Sequence, residues 1–113
     1  MEDDLVTSGR FARLAIRGRR SGERRSVSVG FVEELDGSLL IAAGAPDSDW
    51  ALNLLADPDC TVTVGERSFA ARAEPLDDDD PRRGRAVREL ILRYGTPSEG
   101  LGSGLVFAVR PVA

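Results

Sequence analysis

The alternation of apolar and polar residues limits the fold of this chain more than any other feature. In residues 12–17, for example, Leu14 and Ile16 fall on one face and their neighbours on the other. A period of two is typical of half-buried strands. The pattern predicts six strands, over residues 12–17, 26–34, 38–43, 60–65, 67–75 and 105–112.

Two dipeptides predict tight turns between these strands. Asp36-Gly37 joins the second strand to the third, and Gly65-Glu66 joins the fourth to the fifth. Strands joined by tight turns are antiparallel, and no regular alternation of strands with helices is present. The sequence therefore predicts a small, mainly β barrel of mostly antiparallel strands with two helices. We expect one domain over residues 1–113, with residues 1–8 frayed.

The first predicted helix follows the third strand. Ser48 or Asp49 can cap its N-terminus, and Pro58 ends it. Its apolar stripe is formed by Trp50, Leu54 and Leu55.

The second predicted helix begins at Pro81 and ends before Gly95. Four residues at spacings of three and four form its apolar stripe. They are Val87, Leu90, Ile91 and Tyr94.

The residue types that the chain lacks exclude most kinds of enzyme chemistry. The sequence contains no histidine, lysine or glutamine. Ser-His-Asp and Cys-His nucleophile systems, Schiff-base lysines, histidine metal sites and a Walker-A lysine are therefore excluded. An enzyme of this composition would depend on carboxylates, arginine, serine, the single tyrosine Tyr94, or a bound cofactor that carries the reaction.

Charge and hydropathy narrow the environment and the partners. The net charge of −4 and the pI near 4.8 argue against a nucleic-acid binder. Because no apolar run approaches the roughly 20 residues of a membrane span and the N-terminus is acidic, we expect a cytoplasmic protein. The acidic run of residues 76–81 predicts a solvated helix start and no metal site. Cys60 is predicted to be a small core residue.

Five arginines lie close together in an otherwise acidic chain. They are Arg17, Arg19, Arg20, Arg24 and Arg25. One interpretation is a solvated hairpin whose charges keep a sheet edge soluble. The other is an oxyanion site, in which backbone amides at a glycine turn (Gly18, Gly22) and guanidinium groups converge with Ser21 on a phosphate or several carboxylates.

Two aromatic residues have similarly open interpretations. Trp50 can form a flat wall beside a ligand, or it can cover the barrel core while Asn53 satisfies a backbone group. Tyr94 can donate a proton or a hydrogen bond, or it can pack in the core as part of its helix stripe.

These segments together resemble a known family. An apolar strand ending in RGRRSGERRS, followed by a hairpin and then by GAPDSDWALNLLADPDCTVTVGERSFAARAEP, is similar to the deazaflavin-dependent (coenzyme F-420-dependent) nitroreductases and quinone reductases. The resemblance runs from about Leu14 to Pro75, and the last strand, GLVFAVRPV, matches in type. Proteins of that family are split β-barrels related to pyridoxamine-phosphate-oxidase-like flavin-binding proteins, so the resemblance implies a split β-barrel here.

The resemblance also implies a cofactor and the residues that hold it. The phosphate and carboxylates of the coenzyme tail would be bound at Gly18, Arg19, Arg20, Ser21, Gly22 and Arg25. The strand end and loop beside the coenzyme would be Ala42, Ala43, Gly44, Ala45, Pro46 and Trp50. Hydride would pass from reduced coenzyme F-420 to an activated alkene, quinone or nitro compound, with the proton from solvent or Tyr94. Flavin mononucleotide is the less favoured cofactor.

Two other functions stay open on the sequence. The GAPDSDW loop favours a barrel that binds an anionic cofactor or ligand without redox turnover. A cofactor-independent enzyme could use the same cavity for acid-base chemistry on a small molecule, with Asp47, Asp49 or Tyr94 as proton carrier. A short chain with many strands also predicts a homodimer.

Overall fold

The computed structural model describes residues 6–45, 47–94 and 104–112. Seven strands and two helices lie wholly within these ranges. The strands are β1 (Ala12–Arg17), β2 (Arg24–Val29), β3 (Val32–Glu33), β4 (Leu39–Ala42), β5 (Asp59–Val64), β6 (Arg67–Pro75) and β7 (Val106–Pro111). The helices are α1 (Asp49–Ala56) and α2 (Pro81–Tyr94). No helix in the described part of the chain is long and apolar enough to cross a membrane.

All the strands form one antiparallel sheet, in the order β2-β1-β5-β6-β7-β4-β3. The two outermost strands, β2 and β3, follow each other directly in the chain, separated only by Gly30 and Phe31. The sheet must therefore curl until its first and last strands meet at this corner. The prediction of a mainly β split barrel with two helices is confirmed.

The chain breaks one predicted strand in two. Residues 26–34 were expected to be continuous, but β2 ends at Val29 and β3 begins at Val32. At Gly30, a Cβ atom would lie only 2.6 Å from the Tyr94 ring, so the absence of a side chain lets that ring approach the backbone. The sheet thus has seven strands rather than six, because a contact with α2 turns the chain at this point.

Two apolar layers hold the fold together. The barrel interior is filled from opposing strands by fully buried side chains such as Leu14, Val62 and Phe107. Fully burying a side chain of this size contributes roughly 1.5–3 kcal/mol. On the outer face, α2 covers Leu40 and Val106 with Ala86 and neighbouring side chains. Cys60 lies in the barrel interior, as expected.

The helix α1 begins and ends close to the predicted positions. Ser48 is the N-cap residue, although its side chain makes no capping hydrogen bond, and the helix ends before Pro58. Ala51 and Leu54 face the core, whereas Leu55, expected on the apolar stripe, is 46% exposed. The stripe is narrower than predicted because α1 packs against the sheet through only one side.

The helix α2 begins at Pro81, as predicted, and buries Ala86 and Leu90. Asp80 accepts a hydrogen bond from the backbone N–H of Arg82 at 2.9 Å, which satisfies one of the free donors of the first turn. Hydrogen bonds from the Arg82 side chain and backbone lower the pKa of Asp80 below its ordinary value. The predicted stop at Gly95 lies outside the described residues.

Candidate functional site

The segment between β1 and β2, residues 18–23, forms a closed turn that we call the arginine turn. The Gly18 N–H donates to the carbonyl oxygen of Glu23 at 2.8 Å, and the Gly22 N–H donates to Gly18 at 2.9 Å. Ser21 Oγ accepts the N–H of Glu23 at 3.1 Å. Gly22 has a φ of +74°, which residues with a Cβ rarely adopt. The turn is therefore closed by its own hydrogen bonds.

One arginine of the turn fastens it to α1. The backbone N–H of Arg19 donates to Asn53 Oδ1 at 3.1 Å, and Nη1 of the same residue donates to the same oxygen at 2.6 Å. Nη1 also forms an ion pair with Asp49 Oδ1 at 2.9 Å. These contacts cross 30 and 34 residues of sequence and join the end of β1 to the first turns of α1.

A cavity of about 240 Å³ opens where the arginine turn meets α1. It is lined by Gly18, Arg19, Arg20, Ser21, Arg25, Asp49 and Asn53. A second cavity, of about 250 Å³, shares Arg25, Asp49 and Asn53 with the first. Its other lining residues are Ile16, Ser26, Val27 and Trp50. We call the first the charged cavity. We call the second, which is walled by the Trp50 ring and aliphatic side chains, the apolar cavity.

The guanidinium groups around the charged cavity differ in the ion pairs and hydrogen bonds that they form. Arg19 is paired with Asp49; the Arg19 side chain is only 23% exposed, and that of Asp49 is 82% exposed. Arg25 makes a 3.9 Å contact with Glu23, in which both side chains are about three-quarters exposed. Such a pair contributes little, because solvent screens it. Arg20 forms no ion pair or side-chain hydrogen bond with any residue in the described ranges.

The loop before α1 is held against the last strand. The Ala43 N–H donates to the carbonyl oxygen of Leu105 at 2.8 Å, and the Ser48 N–H donates to Ala45 at 3.2 Å. Trp50 packs against Phe107, with the ring centroids 6.3 Å apart. Trp50 therefore both covers the core and lines the apolar cavity, so the two interpretations of this residue are compatible.

The structure brings together only part of the predicted set. Arg19, Arg20, Ser21, Arg25 and Trp50 line the two adjoining cavities. Gly22 shapes the turn without lining either cavity. Within the described ranges, the loop residues Ala42, Ala43, Gly44 and Ala45 do not line them, and Pro46 lies outside the described residues.

Tyr94 lies at the corner where β2 meets β3. Its hydroxyl donates to the carbonyl oxygen of Arg10 at 2.7 Å and accepts the Phe31 N–H at 3.0 Å. Its ring meets Phe11 edge-on, with the centroids 5.1 Å apart. Tyr94 does not line the two cavities beside the arginine turn. A catalytic role for Tyr94 stays a prediction, and the observed contacts give it a structural one.

Asn53 and Asp49 are more central to the site than the sequence indicated. The expectation that Asn53 satisfies a backbone group is confirmed, but its partner Arg19 could not be named from the sequence. Asp49 was predicted as a possible helix cap or proton carrier, whereas the structure shows it as the partner of an arginine. The local signal was the Asp-Trp-x-x-Asn spacing, which places both polar side chains on one side of α1.

Two larger grooves lie elsewhere on the surface. One, of about 480 Å³, runs along α2 past Val87, Ile91 and Leu92. The other, of about 640 Å³, lies between the end of α1 and strands β6 and β7. Neither includes a residue of the arginine turn. We therefore assign the candidate site to the two smaller cavities, although these grooves have greater volumes.

Solved structures show that the fold is shared widely. The F420-H2 dependent reductase FDR-A superposes with a TM-score of 0.71 at 22% identity, covering 89% of this chain and 94% of that one. The heme storage protein HutZ from Vibrio cholerae superposes with a TM-score of 0.75 at 16% identity, covering 98% and 87%. At these identities the similarity establishes the split-barrel fold alone.

Sequence comparison assigns the family. Two mycobacterial proteins described as F420H(2)-dependent quinone reductases, one from Mycobacterium tuberculosis and one from Mycobacterium bovis, are similar to this chain. Each is 32% identical to it over 71 residues. That match covers 60% of this chain and 48% of theirs, so the chain spans about half the length of these relatives. The family model for F420H(2)-dependent quinone reductases matches residues 6–98. The chain therefore belongs to the F420H(2)-dependent quinone reductase family.

Proposed function

We propose that this protein binds coenzyme F-420 and uses its reduced form to reduce a small electrophilic acceptor, with a quinone as the favoured class. The observation that carries the proposal is the pair of adjoining cavities, one lined by Arg20 and Arg25 and the other by Trp50. Family membership supports the choice of a deazaflavin over other anionic ligands.

The donors around the charged cavity fit a polyanionic tail. Guanidinium groups bind phosphate and carboxylate oxygens through paired, charge-assisted hydrogen bonds. Among the described residues, Arg20 has no side-chain partner and Arg25 has only the exposed contact with Glu23. Ser21 adds a hydroxyl at the same cavity. These side chains would hold the tail and leave the planar ring to the neighbouring cavity.

The apolar cavity fits the ring system. Ile16 and Val27 offer aliphatic contacts, and the Trp50 indole offers a flat surface. The reduced coenzyme supplies the hydride when it is bound. The residues of this chain would orient the ring, exclude water from one of its faces and leave the other face open to the acceptor. We assign the accompanying proton to solvent, because the Tyr94 hydroxyl already donates its hydrogen to the carbonyl oxygen of Arg10.

Fluorescence titration with coenzyme F-420 tests the binding step. We expect micromolar or tighter binding, and at least tenfold weaker binding of flavin mononucleotide at the same salt concentration. Oxidation of the reduced coenzyme is then followed with a quinone, an enone and a nitro compound. Absence of coenzyme binding would contradict the proposal.

A second function, binding without turnover, is favoured by one specific observation. Asp49 places a carboxylate at both cavities, which offsets part of the positive charge offered to an anionic tail. In that case the protein would bind the coenzyme but would not accelerate its oxidation by any of the three acceptors. A rate above that of the free reduced coenzyme would reject this alternative.

We also propose a homodimer of cytoplasmic location. A similar solved structure, with a TM-score of 0.70 at 22% identity, is described as a domain-swapped dimer. Two exposed apolar side chains, Leu92 at 75% and Val112 at 54%, could be covered in such an assembly. Sedimentation velocity at micromolar concentration checks this proposal, and a single monomeric species would reject it.

A further inference from the structure

We infer that the arginines beside α1 have different tasks: Arg19 positions the turn, whereas Arg20 and Arg25 bind the anion. This inference rests on the proposed function, since it divides the coenzyme tail site into a scaffold and a binding surface. It also makes Asn53 a positioning residue, although this side chain belongs to α1 rather than to the turn.

The contacts of Arg19 commit one of its Nη groups to α1. Nη1 lies within 3.3 Å of three oxygens: Asn53 Oδ1, Asp49 Oδ1 and the Asp49 carbonyl oxygen. A guanidinium Nη carries only two hydrogens, so the two shortest contacts, at 2.6 and 2.9 Å, are sufficient to use both. The charge of Arg19 is also matched by the Asp49 carboxylate.

Arg20 and Arg25 are in the opposite situation. Both line the charged cavity, yet Arg20 has no side-chain partner in the described ranges and Arg25 has only the exposed contact with Glu23. The residues that line the cavity include three arginines and one carboxylate, that of Asp49, which leaves an excess of two positive charges. That excess matches one phosphate dianion or two carboxylates, which defines the ligand chemistry of this cavity.

The Asn53 side chain binds both the main chain and the side chain of Arg19. Its Oδ1 accepts both the backbone N–H and the guanidinium of Arg19. An Arg19→Ala variant therefore keeps one of the two hydrogen bonds, whereas an Asn53→Ala variant loses both. This difference separates a positioning role from direct contact between Arg19 and the anion.

The test compares dissociation constants for coenzyme F-420 across single variants. We expect increases of about tenfold or more for Arg20→Ala and Arg25→Ala, because each loses a charge-assisted contact. For Arg19→Ala we expect an increase of less than about threefold, and for Asn53→Ala an increase larger than that of Arg19→Ala. Arg88→Ala, which removes one positive charge from the exposed side of α2, is the matched control and should bind as the original chain does.

A deazaflavin without its phosphate tail serves as a second probe. Its dissociation constant should be unchanged in all these variants, because it does not reach the charged cavity. This result would show that each variant is folded and that the affinity losses concern the tail. If Asn53→Ala does not fold, the comparison of Arg19→Ala with Arg20→Ala carries the test.

Inorganic pyrophosphate provides a readout that does not need the coenzyme. In ¹⁵N spectra of the arginine side chains, we expect the Nε resonances of Arg20 and Arg25 to move on titration and that of Arg19 to stay in place. A protein that fails to bind coenzyme F-420 but shows this response would reject the proposed function and retain the division of roles. Equal affinity losses for Arg19→Ala and Arg20→Ala, or a pyrophosphate response centred on Arg19, would overturn the inference.

Discussion

At the scale of single residues, Tyr94 shows how one hydroxyl can hold a sheet closed. It bridges the carbonyl oxygen of Arg10, just before β1, and the backbone N–H of Phe31, between β2 and β3. The Phe31 ring is in turn covered by the Arg93 guanidinium, 4.6 Å from its centroid. The end of α2 is thereby joined to both sides of the corner at which the sheet begins and ends.

Replacing Tyr94 with phenylalanine tests this structural role. The Tyr94→Phe variant keeps the ring contact with Phe11 but loses both hydrogen bonds, so we expect a loss of about 1–3 kcal/mol in the free energy of unfolding. Urea denaturation measures the loss, and Arg88→Ala, an exposed change on the same helix, serves as control. An unchanged stability together with a lower rate of acceptor reduction would instead support the catalytic role predicted from the sequence.

At the scale of elements, local sequence predicted the strands and hairpins better than it predicted their meeting points. The Asp36-Gly37 and Gly65-Glu66 turns were placed correctly because their signals are contained in two residues. The break after Val29 was missed because the alternating pattern runs on through Phe31. Its cause, the Tyr94 ring, lies 63 residues further along the chain than Phe31.

The candidate site has the same mixture of predictable and unpredictable parts. The arginine cluster and its glycine turn could be read from the sequence, since charge and turn chemistry are local. The division between Arg19 and Arg20 could not, because it depends on which guanidinium faces α1 after the helix has docked on β1. Docking of α1 is determined by burial of Ala51 and Leu54, which carries no information about the arginines.

Two glycines make a matched prediction about elements. Gly84 lies in α2 with open space where a Cβ would be, so Gly84→Ala should stabilise the protein by about 0.5–1 kcal/mol. Gly22, with its φ of +74°, should respond in the opposite sense, with Gly22→Ala costing about 1 kcal/mol. Thermal unfolding of the two variants checks the signs, and a gain in stability at Gly22 would contradict the strain assigned to the arginine turn.

At the scale of the whole molecule, Cys60 reports on global opening. The thiol is 3% exposed in the barrel interior, and its strand β5 lies between β1 and β6. Burial, followed by the nearby charge of Asp59, raises the pKa of Cys60 to about 11. The raised pKa favours the neutral thiol in the folded protein, so deprotonation stabilises the unfolded chain relative to the folded one as the pH rises from about 9 towards 11.

Alkylation of Cys60 should therefore follow unfolding. At pH 8 we expect iodoacetamide to react at least about a hundredfold more slowly with the folded protein than with the urea-unfolded chain, because the reactive thiolate is both rare and enclosed. Mass spectrometry at timed intervals measures the two rates. Comparable rates would mean that β5 opens locally, without unfolding of the rest of the sheet.

The order of strands in the sheet also has a consequence for the time the chain needs to fold. The hairpins β1–β2, β3–β4 and β5–β6 join neighbours in sequence, and each can form on its own within microseconds. The pairing of Leu39 on β4 with Val109 on β7, by contrast, closes a loop that contains most of the chain. The entropy of that closure is lost before its contacts repay it, so the barrier to folding lies in bringing preformed hairpins together.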